Sequence, residues 1–177
     1  MIAWEEAVRI ARGLIGTPYA KMDCINLIKR IIRTAPGGRK DYTTAGTNAL
    51  WKSYGMTKKY RDLTWRQEGI SGARAGMLAF KHSGSDVHHV GLVTDCDTVI
   101  HASSALGCVA ETPLQQQEGW SMLAVHRDIE AAPEAWMEEN AEEQDQEGCA
   151  QKVTIVDSAG SVFCPVGDFR VLLGAVD

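Results

Sequence analysis

Long hydrophobic runs are missing from this 177-residue chain. No apolar stretch approaches the roughly 18 residues that a membrane-spanning helix needs, so an integral helical membrane protein is not expected. The opening Met1-Ile2-Ala3-Trp4-Glu5-Glu6 has no basic region followed by an apolar stretch, so a standard secretory signal is not expected either. The five cysteines, Cys24, Cys96, Cys108, Cys149 and Cys164, are odd in number, and no two are closely spaced. That spacing excludes a zinc knuckle and a thioredoxin motif, argues against a disulfide framework, and leaves at least one thiol free. Strong basic charge is lacking as well. The net charge is −5, and even residues 1–129 reach only +4, too little for a nucleic-acid surface. No segment repeats.

Hydrophobic residues at 45% and charged residues at 23% are ordinary globular values and argue against a disordered chain. The charge is unevenly placed: residues 130–147 hold eight acids and no Lys or Arg. A mildly basic body with an acidic strap suits an anionic polymer partner such as a cell wall.

Trp4, Ala7, Val8, Ala11, Leu14 and Ile15 make one stripe of a 3.6-residue period, predicting a helix that stops at Gly16-Thr17-Pro18. A second stripe through Cys24, Ile25, Leu27, Ile28, Ile31 and Ile32 predicts a helix that begins near Asp23 and ends before Ala35-Pro36-Gly37-Gly38. A short helix is expected over Asn48–Tyr54. From Gly76 the pattern becomes strand-like, with runs at Met77–Lys81, Val87–Thr94, Thr98–Ala102, Gly107–Glu111 and Ser121–Arg127. Helices followed by an antiparallel meander describe an α+β domain over residues 1–129. Residues 130–148 read as a solvated acidic linker. Residues 149–177 hold three short strand-like runs, a small β segment that stops early.

A cysteine in the first turn of a helix meets unpaired N–H groups and the positive end of the helix dipole, which favour its thiolate. It becomes a nucleophile when an imidazole lies in reach and a third polar group orients that imidazole. Of the five histidines, His89 and His101 fall on consecutive strands. If those strands pair, the two rings point to one side, towards the start of the Cys24 helix, and Gly91 leaves room between them. His88 must face away from His89.

In order and spacing, Gly16-Thr17-Pro18-Tyr19, Asp23-Cys24, His89-Val90-Gly91-Leu92-Val93 and Ile100-His101-Ala102-Ser103 resemble the NlpC-like cell-wall cysteine peptidases. The Pro18–Cys24 segment and Gly46-Thr47-Asn48-Ala49-Leu50-Trp51 look most like prophage-borne members from Gram-positive gut bacteria. The resemblance covers residues 2–128. Lys152–Val176 is similar to the opening of a bacterial Src-homology-3-like wall-binding repeat.

The resemblance implies a papain-like fold and hydrolysis of peptidoglycan stem peptides between D-γ-glutamate and a diamino acid. Peptidoglycan or muropeptides would be the partner, and no metal or nucleotide is required. Cys24 would be the nucleophile, His89 the general base and acid, and His101 the residue that orients His89. Tyr19 would contact the oxyanion or substrate, and Asp23 the substrate amine. One departure stands out. The family pattern after the nucleophile is Ser-Gly, whereas Ile25-Asn26 follow Cys24, so the exact bond cleaved is open. The alternatives are an amidase or acyltransferase on another γ-glutamyl or acyl substrate, or a non-catalytic phage tail or wall-binding component. Without a signal, release by lysis or a phage route competes with action on muropeptides inside the cell.

Taken singly, each residue has a plainer role: Cys24 as a small core residue, His89 as an edge histidine, Tyr19 as packing, Asp23 as the N-cap of its helix. His82, His88 and His126 read as surface or structural residues. His82 and His88 with Asp86 are too crowded on one loop to make a zinc site. Cys96 and Cys108 read as bystanders, and Trp51, Trp65 and Trp120 as core.

Overall fold

The structure, a computed structural model, describes residues 1–52, 63–95 and 97–134. The expected β segment, all but the start of the acidic linker, and Cys96 lie outside the described residues. No helix among them is long and apolar enough to cross a membrane.

Helix α1, Trp4–Arg12, buries Ala7, Val8, Ile10 and Ala11. It ends three residues before the apolar stripe does. Leu14 N–H and Ile15 N–H bond back to the carbonyls of Ala11 and Arg12, so the chain tightens into a turn there. Helix α2, Cys24–Thr34, starts where the Asp23 carboxylate accepts from Asn26 N–H at 2.8 Å, which is the expected N-cap. Leu27, Ile28, Ile31 and Ile32 are fully buried, each contributing about 1.5–3 kcal/mol of transfer free energy. Helix α3, Thr47–Lys52, is short.

Six strands form one antiparallel sheet: β1 Leu63–Glu68, β2 Leu78–Ser83, β3 Asp86–Val93, β4 Thr98–Ser103, β5 Cys108–Pro113 and β6 Trp120–His126. Their spatial order is β1-β6-β2-β3-β4-β5. Alternation along each strand splits the core in two. Leu78, Phe80, Val90, Leu92, Ile100 and Ala102 pack under the helices, while Met77, Ala79, Val93, Val99 and Leu123 form a smaller cluster on the opposite face.

Strand β1 was not anticipated. It is an edge strand whose side chains are mostly exposed, so Leu-Thr-Trp-Arg-Gln-Glu carries no apolar alternation to read. Trp65, expected in the core, lies on it and is 42% exposed. Cys108 is not the bystander expected. It is disulfide-bonded, while Cys24 is free.

Candidate active site

Two loops and three strands bring the site together. The turn after α1 is tethered to the start of β5: Gly16 N–H donates to Val109 O, Val109 N–H to Thr17 O, and Tyr19 N–H to Gly107 O, at 2.9, 2.9 and 2.8 Å. Asp23 then closes the loop as the α2 cap, and Cys24 follows as the first helical residue, with a buried side chain.

The β3–β4 ladder is only two pairs long, Leu92 with Ile100 and Val93 with Val99. Beyond it the strands part. Val93 N–H is directed to β2 and Thr94 N–H to β4, so Val90 N–H, by the same alternation, is aimed at the β4 side where pairing has lapsed. There it faces the Cys24 sulfur, together with the N–H groups of Ile25 and Cys24 itself. Cys24 thus meets the Val90 backbone from the helix-packed face, while the imidazoles are carried on the other face, against Trp120.

Those imidazoles are joined. His89 Nε2 and His101 Nδ1 are 2.7 Å apart, with the rings nearly perpendicular at 87°. His101 Nε2 continues the chain to Thr112 Oγ1 at 3.1 Å. His89 Nδ1 has no hydrogen bond among the described residues. Gly91 permits the arrangement: a Cβ there would lie 2.5 Å from Val99 Cγ2, 2.9 Å from Ile100 O and 3.1 Å from His101 Cβ. Any side chain would push β4 away.

Burial dominates the electrostatics. It pushes the Cys24 thiol above its ordinary range. The Val90 N–H pulls the other way, the Asp23 charge adds to the rise, and the Ile25 and Cys24 N–H groups oppose it. The helix N-terminus was expected to favour the thiolate, and in the resting protein desolvation outweighs it. Burial, reinforced by the charges of Lys81 and His88, lowers His89 to about 4. His101 falls to about 3 through burial and then the charges of His89 and Lys81. At neutral pH the resting protein therefore holds Cys24 as a thiol and both imidazoles uncharged.

Tyr19 is half-buried close to both Cys24 and Asp23; burial first, then the charges of these two, raise its phenol. Ile25 packs against the helix-side core and Asn26 is exposed. Three neighbours were not expected in the site. The buried Trp120 ring lies against both imidazoles, 5.5 Å from His89 and 5.2 Å from His101, Lys81 Nζ sits over that ring at 4.6 Å, and Thr112 ends the chain. Trp120 pairs with Lys81, and Lys81 with His89, across adjacent strands. Only the sheet order reveals this. His82 and His88 are exposed and His126 is buried elsewhere, as surface and structural residues. Among the described residues no cluster of three His, Cys, Asp or Glu could hold a metal ion.

A cysteine at a helix N-terminus, packed on an antiparallel sheet that carries the histidines, is the papain-like form of the α+β class. No family model matches the sequence, and no curated protein matches it. Among solved structures, the peptidoglycan hydrolase RipB from Mycobacterium tuberculosis is similar with a TM-score of 0.50 and 18% identity, over 72% of this chain and 65% of that one. The NlpC/p60 domain of the peptidoglycan hydrolase SagA is 21% identical, with a TM-score of 0.48 over 68% of this chain and 97% of that one. NlpC1 from Trichomonas vaginalis is 19% identical, with a TM-score of 0.49 over 69% of this chain and 43% of that one. At 18% identity, what RipB shares with this chain is the fold.

Proposed function

We propose that residues 1–129 are an NlpC-type cysteine peptidase that cleaves peptidoglycan stem peptides between D-γ-glutamate and a diamino acid. The His89–His101 bond beside the gap that receives Cys24 is the observation that carries this reading. Residues 130–148 would be the linker and 149–177 a small β segment of wall-binding type. RipB and SagA, whose folds are similar, are peptidoglycan hydrolases.

Cys24 Sγ attacks the amide carbon as its proton passes to His89 Nδ1, and the carbonyl oxygen takes the electron pair. His89 then gives that proton to the leaving amine as the C–N bond breaks, leaving a thioacyl enzyme. Water, deprotonated by His89, releases the acid and restores the thiol. His101 holds His89 in place through Nε2. Tyr19 and the Cys24 N–H would stabilise the oxyanion, and Asp23 would meet a substrate amine. Starting from a neutral thiol and imidazole, proton transfer accompanies attack rather than preceding it.

A mass-spectrometric digest of defined muropeptides with the full chain and its Cys24→Ala variant tests this. A fragment pair that disappears in the variant is expected, and it also names the bond left open by Ile25-Asn26. A folded protein that cleaves no stem peptide would overturn the reading and favour another acyl substrate or a wall-binding role.

A further inference from the structure

We propose that Thr112 is a positioning residue whose hydroxyl, by accepting a hydrogen bond from His101 Nε2–H, fixes the tautomers of both imidazoles and leaves His89 Nδ1 bare. The inference rests on the reading of His89 as the base. Thr112 lies on β5 opposite Val99, the diagonal neighbour of His101, which is itself opposite Ala110. That register brings its hydroxyl to 3.1 Å from His101 Nε2, while His101 Nδ1 is 2.7 Å from His89 Nε2.

A neutral imidazole has one N–H and one lone pair, so this chain has two directions. If Thr112 donates, His101 Nε2 accepts, His101 Nδ1–H donates to His89 Nε2, and the proton of His89 sits on Nδ1. That His89 cannot take a proton from sulfur. If Thr112 accepts, His101 Nε2 carries the proton, His101 Nδ1 accepts from His89 Nε2–H, and His89 Nδ1 is free to take one. The loaded state decides between them. When the Sγ–H bond breaks and the His89 Nδ1–H bond forms, the imidazolium still donates through Nε2. His101 Nδ1 must then be a lone pair and His101 Nε2–H must have an acceptor. His101 is only 5% exposed and shielded by Trp120, so Thr112 is the acceptor at hand.

Long-range proton–nitrogen spectra of the full chain at pH 7.5 test the assignment directly. His101 protonated on Nε2 and His89 bare on Nδ1 are expected; His101 protonated on Nδ1 would overturn it, whatever any variant does. In Thr112→Val, which keeps shape and strand preference, both rings should become tautomer mixtures, and alkylation of Cys24 by iodoacetamide at pH 7.5 should slow about tenfold, as leaving the buried His101 donor without its acceptor implies. Thr112→Ser should restore both. Unchanged tautomers and rate in a folded Thr112→Val would overturn the proposal, as would a Thr112→Ser no better than Thr112→Val. With muropeptides, kcat should fall with KM unchanged. If the wild-type chain cleaves none while the spectra and alkylation behave as stated, the peptidase reading fails and the tautomer assignment stands.

Discussion

Cys24 carries two opposing influences, and their balance sets how it reacts. Three backbone N–H groups favour the thiolate, while burial behind α2 and the nearby Asp23 charge oppose it, and the thiol ends above its ordinary value. Alkylation of Cys24 by iodoacetamide in the resting protein should therefore follow a pH midpoint above the roughly 8.5 of a free cysteine. A midpoint below 8 would mean that the N–H groups win and that a thiolate–imidazolium pair exists before substrate arrives. The candidate nucleophile, base and orienter were legible as residues because each is a distinctive chemical type at a distinctive place. Thr112, Lys81 and Trp120 were not. A threonine in a strand and a lysine beside a tryptophan carry no signal until the strand order makes them neighbours of the imidazoles.

The short β3–β4 ladder is the element that matters most. Its two pairs hold the strands close enough for His89 and His101 to bond, and its ending frees Val90 N–H to face sulfur. Gly91→Ala places a methyl carbon inside the Val99 side chain and the Ile100 carbonyl, so β4 must move. Overpacking of this kind costs about 1–3 kcal/mol. Urea unfolding should show that loss, and muropeptide cleavage should fall more than tenfold because the His89–His101 bond is stretched. Near-normal cleavage in Gly91→Ala would mean the pair tolerates a wider strand gap. Helices α1 and α2 and strands β2 to β6 follow the apolar patterns closely. Their ends differ where a turn, as at Leu14 and Ile15, satisfies the backbone at less cost than another helical turn. Strand β1 escaped because an exposed edge strand is held by backbone bonds to β6 rather than by an apolar face.

Across the whole molecule, acid is the expected weak point. Far from the site, His126 is buried with both ring nitrogens engaged: Asp128 N–H donates to Nδ1 at 3.1 Å, so Nε2–H donates to the Tyr42 hydroxyl oxygen at 3.1 Å. Arg39 holds Asp128 from the other side, Nε to Oδ2 at 2.8 Å, and lies over the Tyr42 ring. Burial first, then the Arg39 and Arg127 charges, lower His126 to about 3. The unfolded chain, with histidine near 6.5, binds that proton more readily, so stability is full above pH 6.5 and is lost as pH falls towards 3. His89 and His101 act in the same direction. The unfolding midpoint should drop by roughly 5 °C or more between pH 7 and pH 4.5, since about 1 kcal/mol moves a domain of this size by several degrees. A flat profile would show that these rings titrate as in water. By itself the sequence determined the helices, most of the strands, and that His89 and His101 lie side by side on neighbouring strands. Local periodicity and residue chemistry suffice for that. Only the tertiary structure decided the direction of the Cys24 equilibrium, the gap between β3 and β4, and the chain from His89 to Thr112. Desolvation and strand register arise only when segments distant in sequence are packed against one another.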